Sequence, residues 1–467
     1  MSIVEVKIEL SKLGQAHLVS QLEKLQGSEY QDLESDILHL DLNLISELLA
    51  QVESNSSLNN SGEDLKSDSI RDEVAPHPFN SQAEQSSQSH AKWSELGQEA
   101  LSEGKVGALL VAGGQGSRLG FDGPKGAYRF DLDSGASLFQ LHAQRILNLG
   151  QRLGKELPWA IMTSPQNHDE TIEHFEQHDY FGLSSDQIVF FQQGVLPAIS
   201  QDGKIILASA SRIQTAPDGN GGCFKAFHQS EVFHQWQKLG IEHLYIFSVD
   251  NCLVRPLDPR FIGFYLDNKK SSASTVVKKA YPAERVGIFA LKNQLPTVIE
   301  YSELNDEQIN ATNSQGDLLY DGGNMAIHLI DMKILQEAAT APLAYHQAHK
   351  KISFWNGSEL VHPSEPNAIK FEQFMFDIFP RCQSMALLEV ERTEHFAPIK
   401  NAEGNDSPQS AKFLLLNLHK KWLAKALNIN ESNLDGQYEI SPLLSYQGEN
   451  LPSTLDEVKT TPLIFRS

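Results

Sequence analysis

Cysteine is scarce in this chain, with three in 467 residues, at positions 223, 252 and 382. None belongs to a CxxC pair, so neither a zinc site nor a disulfide framework is legible. So low and odd a count fits a reducing compartment. No stretch approaches the roughly 20 apolar residues that a membrane-spanning helix needs. The opening Met1-Ser-Ile-Val-Glu-Val-Lys lacks the apolar centre of a signal peptide. The expectation is a cytoplasmic protein with no membrane partner. Positive charge is also in short supply: 38 Lys and Arg against 60 Asp and Glu give a formal net charge of -22. A general nucleic-acid surface is excluded, because it must neutralise many phosphates at once. A nucleotide is not excluded, since a few local cations and backbone N–H groups suffice for one. No internal repeat is evident, and no hexapeptide β-helix pattern.

What is present is an ordinary globular composition, 40% hydrophobic and 21% charged, enough for a large core. The length calls for two or three domains. Three are expected: an N-terminal helical arm and polar linker over 1–98, a central α/β domain over 99–401, and a small C-terminal domain over 402–467. Residues 11 to 52 carry two helical stripes, Leu18, Leu22 and Leu25, then Leu38, Leu42, Ile45, Leu48 and Leu49. Ser54 to Ser89 is rich in Ser, Asn, Gln and acid and poor in large apolar residues. It reads as a linker or an arm lying on the next domain.

From Val106 the texture changes. Val106 to Ala112, Trp159 to Thr163, Ile188 to Phe191 and Leu244 to Val249 are short apolar runs of the kind buried in parallel sheets. Helical patterning falls between them, at Leu138 to Leu147 and around Thr171 to His178. The alternation predicts an α/β domain with a mostly parallel sheet. Ligands of such sheets bind at the carboxyl ends of the strands. The loop after Ala112 and the Asp250-Asn251 turn both fall at such ends.

That loop reads Gly113-Gly114-Gln-Gly116-Ser-Arg118-Leu-Gly120, with Pro124-Lys125-Gly126 directly after it. Glycines let a backbone turn sharply and approach a ligand, so that N–H groups can cradle phosphate. A plain tight turn would need no such retinue. A dinucleotide fingerprint fails on the glycine spacing by one residue, and the Walker ending is absent. Arg118 and Lys125 add mobile cations, which points to phosphate chemistry.

With these residues in place, the stretch Val111 to Gly120 with Pro124-Lys125-Gly126 resembles the signature of the UDP-sugar pyrophosphorylase family. Further landmarks follow in that family's order: Gln192-Gln193-Gly194, Leu196-Pro197-Ala198, Ala216 to Gly222, Ser248 to Asn251, Asp258 to Gly263, Glu300 to Glu303, Gly323-Asn324, Phe374 to Phe379 and Pro398 to Ala402. The likeness runs from about residue 80 to about 450 and is strongest to the eukaryotic-type N-acetylhexosamine branch.

The resemblance implies a Rossmann-like nucleotidyltransferase domain of glycosyltransferase-A type. The implied reaction forms UDP-N-acetylglucosamine and pyrophosphate from UTP and N-acetylglucosamine 1-phosphate, with Mg2+ as cofactor. The two substrates are the expected partners, and the oligomeric state is left open between monomer and weak dimer. In this reading Gly113, Gly114 and Gly116 cradle the phosphates, and Arg118 and Lys125 neutralise the triphosphate. Gln193, with Gln192 one residue away as the alternative, and the backbone of Gly219 and Asn220 hold the uracil. Asp250 holds the metal, and Lys400 orients the sugar phosphate. Gly287, Glu300, Tyr301, Asn324, Phe374 and Phe376 form the sugar pocket.

Each assignment has a plainer competitor. Asp250-Asn251 also suits a turn or helix cap, Lys400 a solvated surface, Gly219 to Gly222 a flexible loop, and Phe374 with Phe376 a simple core. Ser117 and Asp321 stand where the family more often has Thr and Asn. Two other functions compete: a uridylyltransferase for glucose 1-phosphate or for several sugars, and a non-catalytic nucleotide-binding protein.

Overall fold

The computed structural model describes residues 1–60, 73–340 and 343–466. The chain divides into two compact units, neither continuous in sequence. One gathers Met1–Asp72, Gly194–Gly222 and Leu343–Met375; the other gathers Glu73–Gln193, Cys223–Pro342 and Phe376–Ser467.

The first unit opens with four helices, α1 (Ile3–Lys12), α2 (Ala16–Leu22), α3 (Gly27–Leu38) and α4 (Leu42–Asn60). Two helical segments were expected. The chain breaks more often because Gly14 and Gly27 sit at φ +74° and +61°, where glycine meets no Cβ penalty. Leu18, Leu22, Ile45 and Leu48 are buried as their spacing predicts, whereas Leu38 is 44% exposed. Their partners come from far along the chain: Ile199, Ile205, Ile213, Ile369 and Phe371 complete this core. Gln15, fully buried, fastens the join. Its amide donates to the Gly203 carbonyl at 2.8 Å and accepts from the Ile205 N–H at 2.8 Å.

The second unit is built on a ten-stranded sheet. Its strands are β1 (Val74–Pro76), β2 (Val106–Val111), β3 (Trp159–Thr163), β4 (Ile188–Gln192), β5 (His243–Ser248), β6 (Ser272–Lys278), β7 (Ile288–Lys292), β8 (Leu295–Ile299), β9 (Gly322–Asp331) and β10 (Met385–Glu389). β5, β2, β3 and β4 are parallel neighbours, as the apolar runs predict. The mostly parallel sheet is nevertheless a wrong expectation, because the sheet is mixed. β9 runs antiparallel to β5, β6 and β7, and β7 antiparallel to β1 and β8. The antiparallel half is joined tightly. β7 and β8 meet at Asn293 and Gln294, both at positive φ (51° and 67°), the pattern of a two-residue hairpin.

Of the polar stretch Ser54 to Ser89, residues 61–72 lie outside the described residues. The rest of it beyond residue 72 is docked: β1 edges the sheet, and Asn80 bridges Leu388. Helices α5 (Ser87–Ser102), α6 (Leu138–Leu153), α7 (His168–Gln177), α8 (Pro259–Asn268) and α9 (Pro408–Leu427) flank the sheet. α5 and α8 cross at backbone contact, since a Cβ at Gly97 or Gly263 would overlap the Pro259 or Trp93 carbonyl. Ala411, Leu415, Leu418 and Tyr446 belong to the core of this unit, while Leu423, Leu434, Tyr438 and Val458 form a smaller cluster.

His142, His328 and His419 are among the deeply buried imidazoles of this unit. Burial pushes His142, His328 and His419 from the ordinary 6.5 down to about 3, and Arg145 adds to the effect at His142 and His419. Below pH 6.5 the unfolded chain takes up these protons and the folded chain does not, so stability falls as pH drops from 6.5 toward 3. The loss is up to about 1.4 kcal/mol per pH unit for each histidine. Urea unfolding is expected to give several kcal/mol less stability at pH 5 than at pH 7. Equal stability at the two values would contradict the buried, neutral state of these rings.

Candidate active site

The parallel strands β2, β3, β4 and β5 end along one side of the sheet, and the Gly-rich loop, Gln193 and Asp250 follow those ends. The loop after β2 leaves the sheet at Ala112, whose N–H still donates to Met162. Gly113 has Gln193 above it: a Cβ at Gly113 would lie 2.9 Å from the Gln193 amide oxygen. This separates the two glutamines, since Gln193 is buried against the loop and Gln192 is exposed. The Gly114 carbonyl accepts from the Lys125 N–H at 3.1 Å, and the Gly116 N–H donates to Gly123 at 2.9 Å. The loop is thus closed on itself, with Arg118 exposed on a short turn between the two ends.

Lys125 reaches the end of β5, where its ammonium stands 4.0 Å from the Asp250 carboxylate, the two side chains only 18% and 17% exposed. The Asp250 carbonyl accepts from the Ile399 N–H at 2.9 Å, and Asn251 bridges Pro398. The segment carrying Lys400 is therefore laid beside the Asp250 turn. The Lys400 and Asn401 N–H groups both donate to the Asp406 carbonyl, at 2.7 and 3.0 Å. The Lys400 ammonium lies 5.8 Å from the centre of the Phe396 ring. Burial raises the Asp406 carboxyl above the ordinary range, against a lowering by Lys400 and Arg392.

The sugar-side candidates form a second group on the antiparallel half. Phe247 pairs with Ile327 across β5 and β9. Asp250 and Asn324 are each three residues further toward the same edge, so they share one end of the sheet. The Asn324 N–H donates to the Gly287 carbonyl at 2.8 Å. Its side-chain oxygen accepts from Ala326, which sits at φ +56° and makes a local kink in the strand. A Cβ at Gly287 would lie 3.0 Å from the Glu300 carboxylate, so the glycine leaves room for that acid. Tyr301 is 43% exposed. Phe376 is buried. Burial raises the Asp321 carboxyl, with Lys278 the main opposing influence.

Gly219, Asn220 and Phe374 belong to the first unit. Gly219 sits at φ +91° with the Gln373 backbone pressed against its missing side chain. The Asn220 side-chain oxygen accepts from the Met375 N–H at 2.9 Å, and the Phe374 and His346 rings lie 4.5 Å apart, tilted by 36°. In this structure Asn220 thus ties its loop to the Gln373–Met375 segment.

Residues 53–450 match the family described as UTP–glucose-1-phosphate uridylyltransferase. The chain belongs to that family. UDP-N-acetylglucosamine diphosphorylase 2 of Arabidopsis thaliana is 40% identical over 468 residues, which cover 95% of this chain and 89% of that protein. UDP-N-acetylglucosamine pyrophosphorylase of Saccharomyces cerevisiae is 38% identical, over 81% of this chain and 82% of its own length. The crystal structure of uridine diphosphate N-acetylglucosamine pyrophosphorylase from Trypanosoma brucei, in complex with an inhibitor, superposes with a TM-score of 0.84 at 28% identity, covering 98% of this chain and 95% of that one. The resemblance carried by the Gly-rich loop and the ordered landmarks is borne out. No helix among the described residues is long and apolar enough to cross a membrane.

Family membership makes the framing side chains worth naming, because the motifs alone pass over them. Asn167, fully buried, donates to the Ala112 and Gly114 carbonyls at 3.0 and 3.2 Å and accepts from the Ser164 N–H at 2.8 Å. It ties the Gly-rich loop to the end of β3. Arg145 and His142 grip the Asp250 turn from below. Arg145 donates to the Cys252 and Val254 carbonyls, both at 2.8 Å, and His142 meets the Val249 carbonyl at 3.1 Å. Burial brings the Arg145 guanidinium down to about 10. Asn167→Ala is expected to cost about 1–3 kcal/mol through unsatisfied buried groups and to raise KM for UTP. Urea unfolding and steady-state kinetics check both; an unchanged KM would separate Asn167 from the loop's function.

Proposed function

We propose that this chain transfers UMP from UTP to N-acetylglucosamine 1-phosphate, giving UDP-N-acetylglucosamine and pyrophosphate. The observation that carries the reading is the Lys125–Asp250 pair at 4.0 Å, set where β2 and β5 end and flanked by the Lys400 segment. A pure nucleotide binder would not need Arg118, Lys125, Asp250 and Lys400 all together. The names of the relatives support the N-acetylated sugar. The domain is proposed to be Rossmann-like, of glycosyltransferase-A type, with its catalytic span over 99–401, and the protein to work in the cytoplasm.

An oxygen of the sugar phosphate attacks the α-phosphorus of UTP. The bond to the bridging oxygen breaks, and pyrophosphate leaves with its electron pair. The attacking oxygen is already anionic, so no general base is needed. The obstacle is bringing two polyanions together, and positioning with charge neutralisation meets it. Backbone N–H groups around Gly113, Gly114 and Gly116 hold phosphate oxygens. Arg118 and Lys125 offset charge on the β- and γ-phosphates, and Lys400 orients the nucleophile. Gln193 holds uracil, while Gly287, Glu300, Tyr301, Asn324 and Phe376 surround the sugar.

Asp250 presents one mostly shielded carboxylate, and the described residues hold no group of three His, Cys, Asp or Glu suited to a metal. Such a donor fits Mg2+, which takes one or two carboxylates and completes its shell with phosphate oxygens and water. When bound, the ion draws charge from the reacting phosphates. The test is a panel of sugar 1-phosphates with UTP and Mg2+, read by pyrophosphate release. Turnover with N-acetylglucosamine 1-phosphate well above that with glucose 1-phosphate is expected. The reverse order would overturn the sugar assignment, and no release with any sugar would overturn the reaction.

A further inference from the structure

We infer that Asn251 is the positioning residue that locks the Lys400 segment to the Asp250 turn, so that metal carboxylate and nucleophile-orienting cation keep one geometry. The inference rests on the reaction proposed above. Asn251 is 1% exposed. Its side-chain oxygen accepts from the Leu253 N–H at 3.2 Å and from the Ala397 N–H at 2.9 Å. Its amide donates to the His395 carbonyl at 2.8 Å. One side chain thus binds the backbone on both sides of a junction that joins residues 146 positions apart.

The backbone contribution to this junction is small. It consists of the Ile399 to Asp250 bond at 2.9 Å and the Cys252 to Ala397 bond at 3.3 Å. The Asp250 side of the junction is rigid on its own account, because His142 and Arg145 clamp the Val249, Cys252 and Val254 carbonyls. Lys400 lies three residues beyond Ala397 and is held by this junction together with the Arg255–His395 contact and its own bond to the Asp406 carbonyl. The Gly-rich loop, by contrast, is closed by its own bonds and by Asn167. No path from that loop to its phosphates runs through Asn251. A misplacement of about 1 Å at a reacting group costs on the order of 10²-fold in rate.

Steady-state kinetics of the full chain with UTP, N-acetylglucosamine 1-phosphate and Mg2+ test the assignment. Asn251→Ala is expected to lower kcat by about 10²-fold, with KM for UTP within about threefold of the parent. In the Lys400→Ala background the same change is expected to cost less than about tenfold, because the group it positions is gone. Asn251→Asp keeps both accepted bonds but sets a carboxylate oxygen against the His395 carbonyl in place of the donated bond, so its kcat should fall as well. If Asn251→Ala does not fold, Asn251→Asp on both backgrounds carries the comparison, with a loss in the parent that disappears in Lys400→Ala. Effects that multiply with Lys400→Ala, a KM for UTP that rises as far as kcat falls, or an unchanged kcat would overturn the assignment. A parent chain that releases pyrophosphate while the variants behave so defeats this assignment alone. A parent chain that releases none defeats the transferase reading and this assignment with it.

Discussion

Lys400→Ala is expected to lower kcat by about 10²- to 10³-fold while leaving KM for UTP nearly unchanged, the magnitude typical of removing one group that stabilises transition-state charge. The backbone of Lys400 donates to the Asp406 carbonyl at 2.7 Å, and the residue before it donates to the Asp250 carbonyl at 2.9 Å. Its ammonium is exposed, free to swing from the Phe396 ring to an arriving phosphate. The alanine removes that charge without disturbing the Gly-rich loop on the other side of Asp250. KM for the sugar phosphate should rise, since the same cation attracts it in the ground state. A solvated surface lysine predicts no change in either constant. A collapse of UTP binding would place Lys400 on the nucleotide instead.

Asp250→Asn is expected to be as damaging, with kcat/KM down by on the order of 10³-fold, about 4 kcal/mol of transition-state stabilisation. Asparagine keeps the shape and suits a turn as well as aspartate does. A residue serving only the turn would therefore tolerate the change. A metal carboxylate would not, because a neutral amide oxygen is a poorer ligand for a hard cation. The Lys125 partner at 4.0 Å sharpens the distinction. With Asp250 neutral, Lys125 is released to the triphosphate, so UTP binding in EDTA should hold or tighten while Mg2+-dependent turnover fails. Binding titrations with and without metal, beside the rates, read both effects. Near-parental turnover would return Asp250 to the turn.

The legible parts of this molecule share a physical reason. β2, β3, β4 and β5 are buried on both faces, so each is a continuous apolar run, and the residues at their ends stand out against it. Gly113 to Gly120 and Asp250 were found that way. The antiparallel half was missed because its strands are joined by hairpins such as Asn293–Gln294 and broken by the kink at Ala326, which blur the period of two. The first unit was missed for another reason. Its core joins α1 to α4 to Ile199, Ile205 and Phe371, more than 130 residues downstream, and local pattern carries no trace of such pairing. Asn167, Asn251 and Arg145 look like ordinary polar residues in the sequence. Their importance lies in the backbone groups they meet, up to 146 positions away. The sugar side stands between these cases. Glu300, Gly287 and Asn324 were named from resemblance, and the fold brings Gly287 into contact with both of the others.

The most direct test follows the phosphorus atoms of UTP. UTP labelled in its α-phosphate in one reaction and its γ-phosphate in another is incubated with N-acetylglucosamine 1-phosphate and Mg2+. The α-label is expected in UDP-N-acetylglucosamine and the γ-label in pyrophosphate, in equal amounts, with neither product when the sugar phosphate is omitted. Release of the γ-label as inorganic phosphate, or of the α-label as UMP without any sugar, would mean that Lys125, Asp250 and Lys400 do not bring two anions together at one phosphorus.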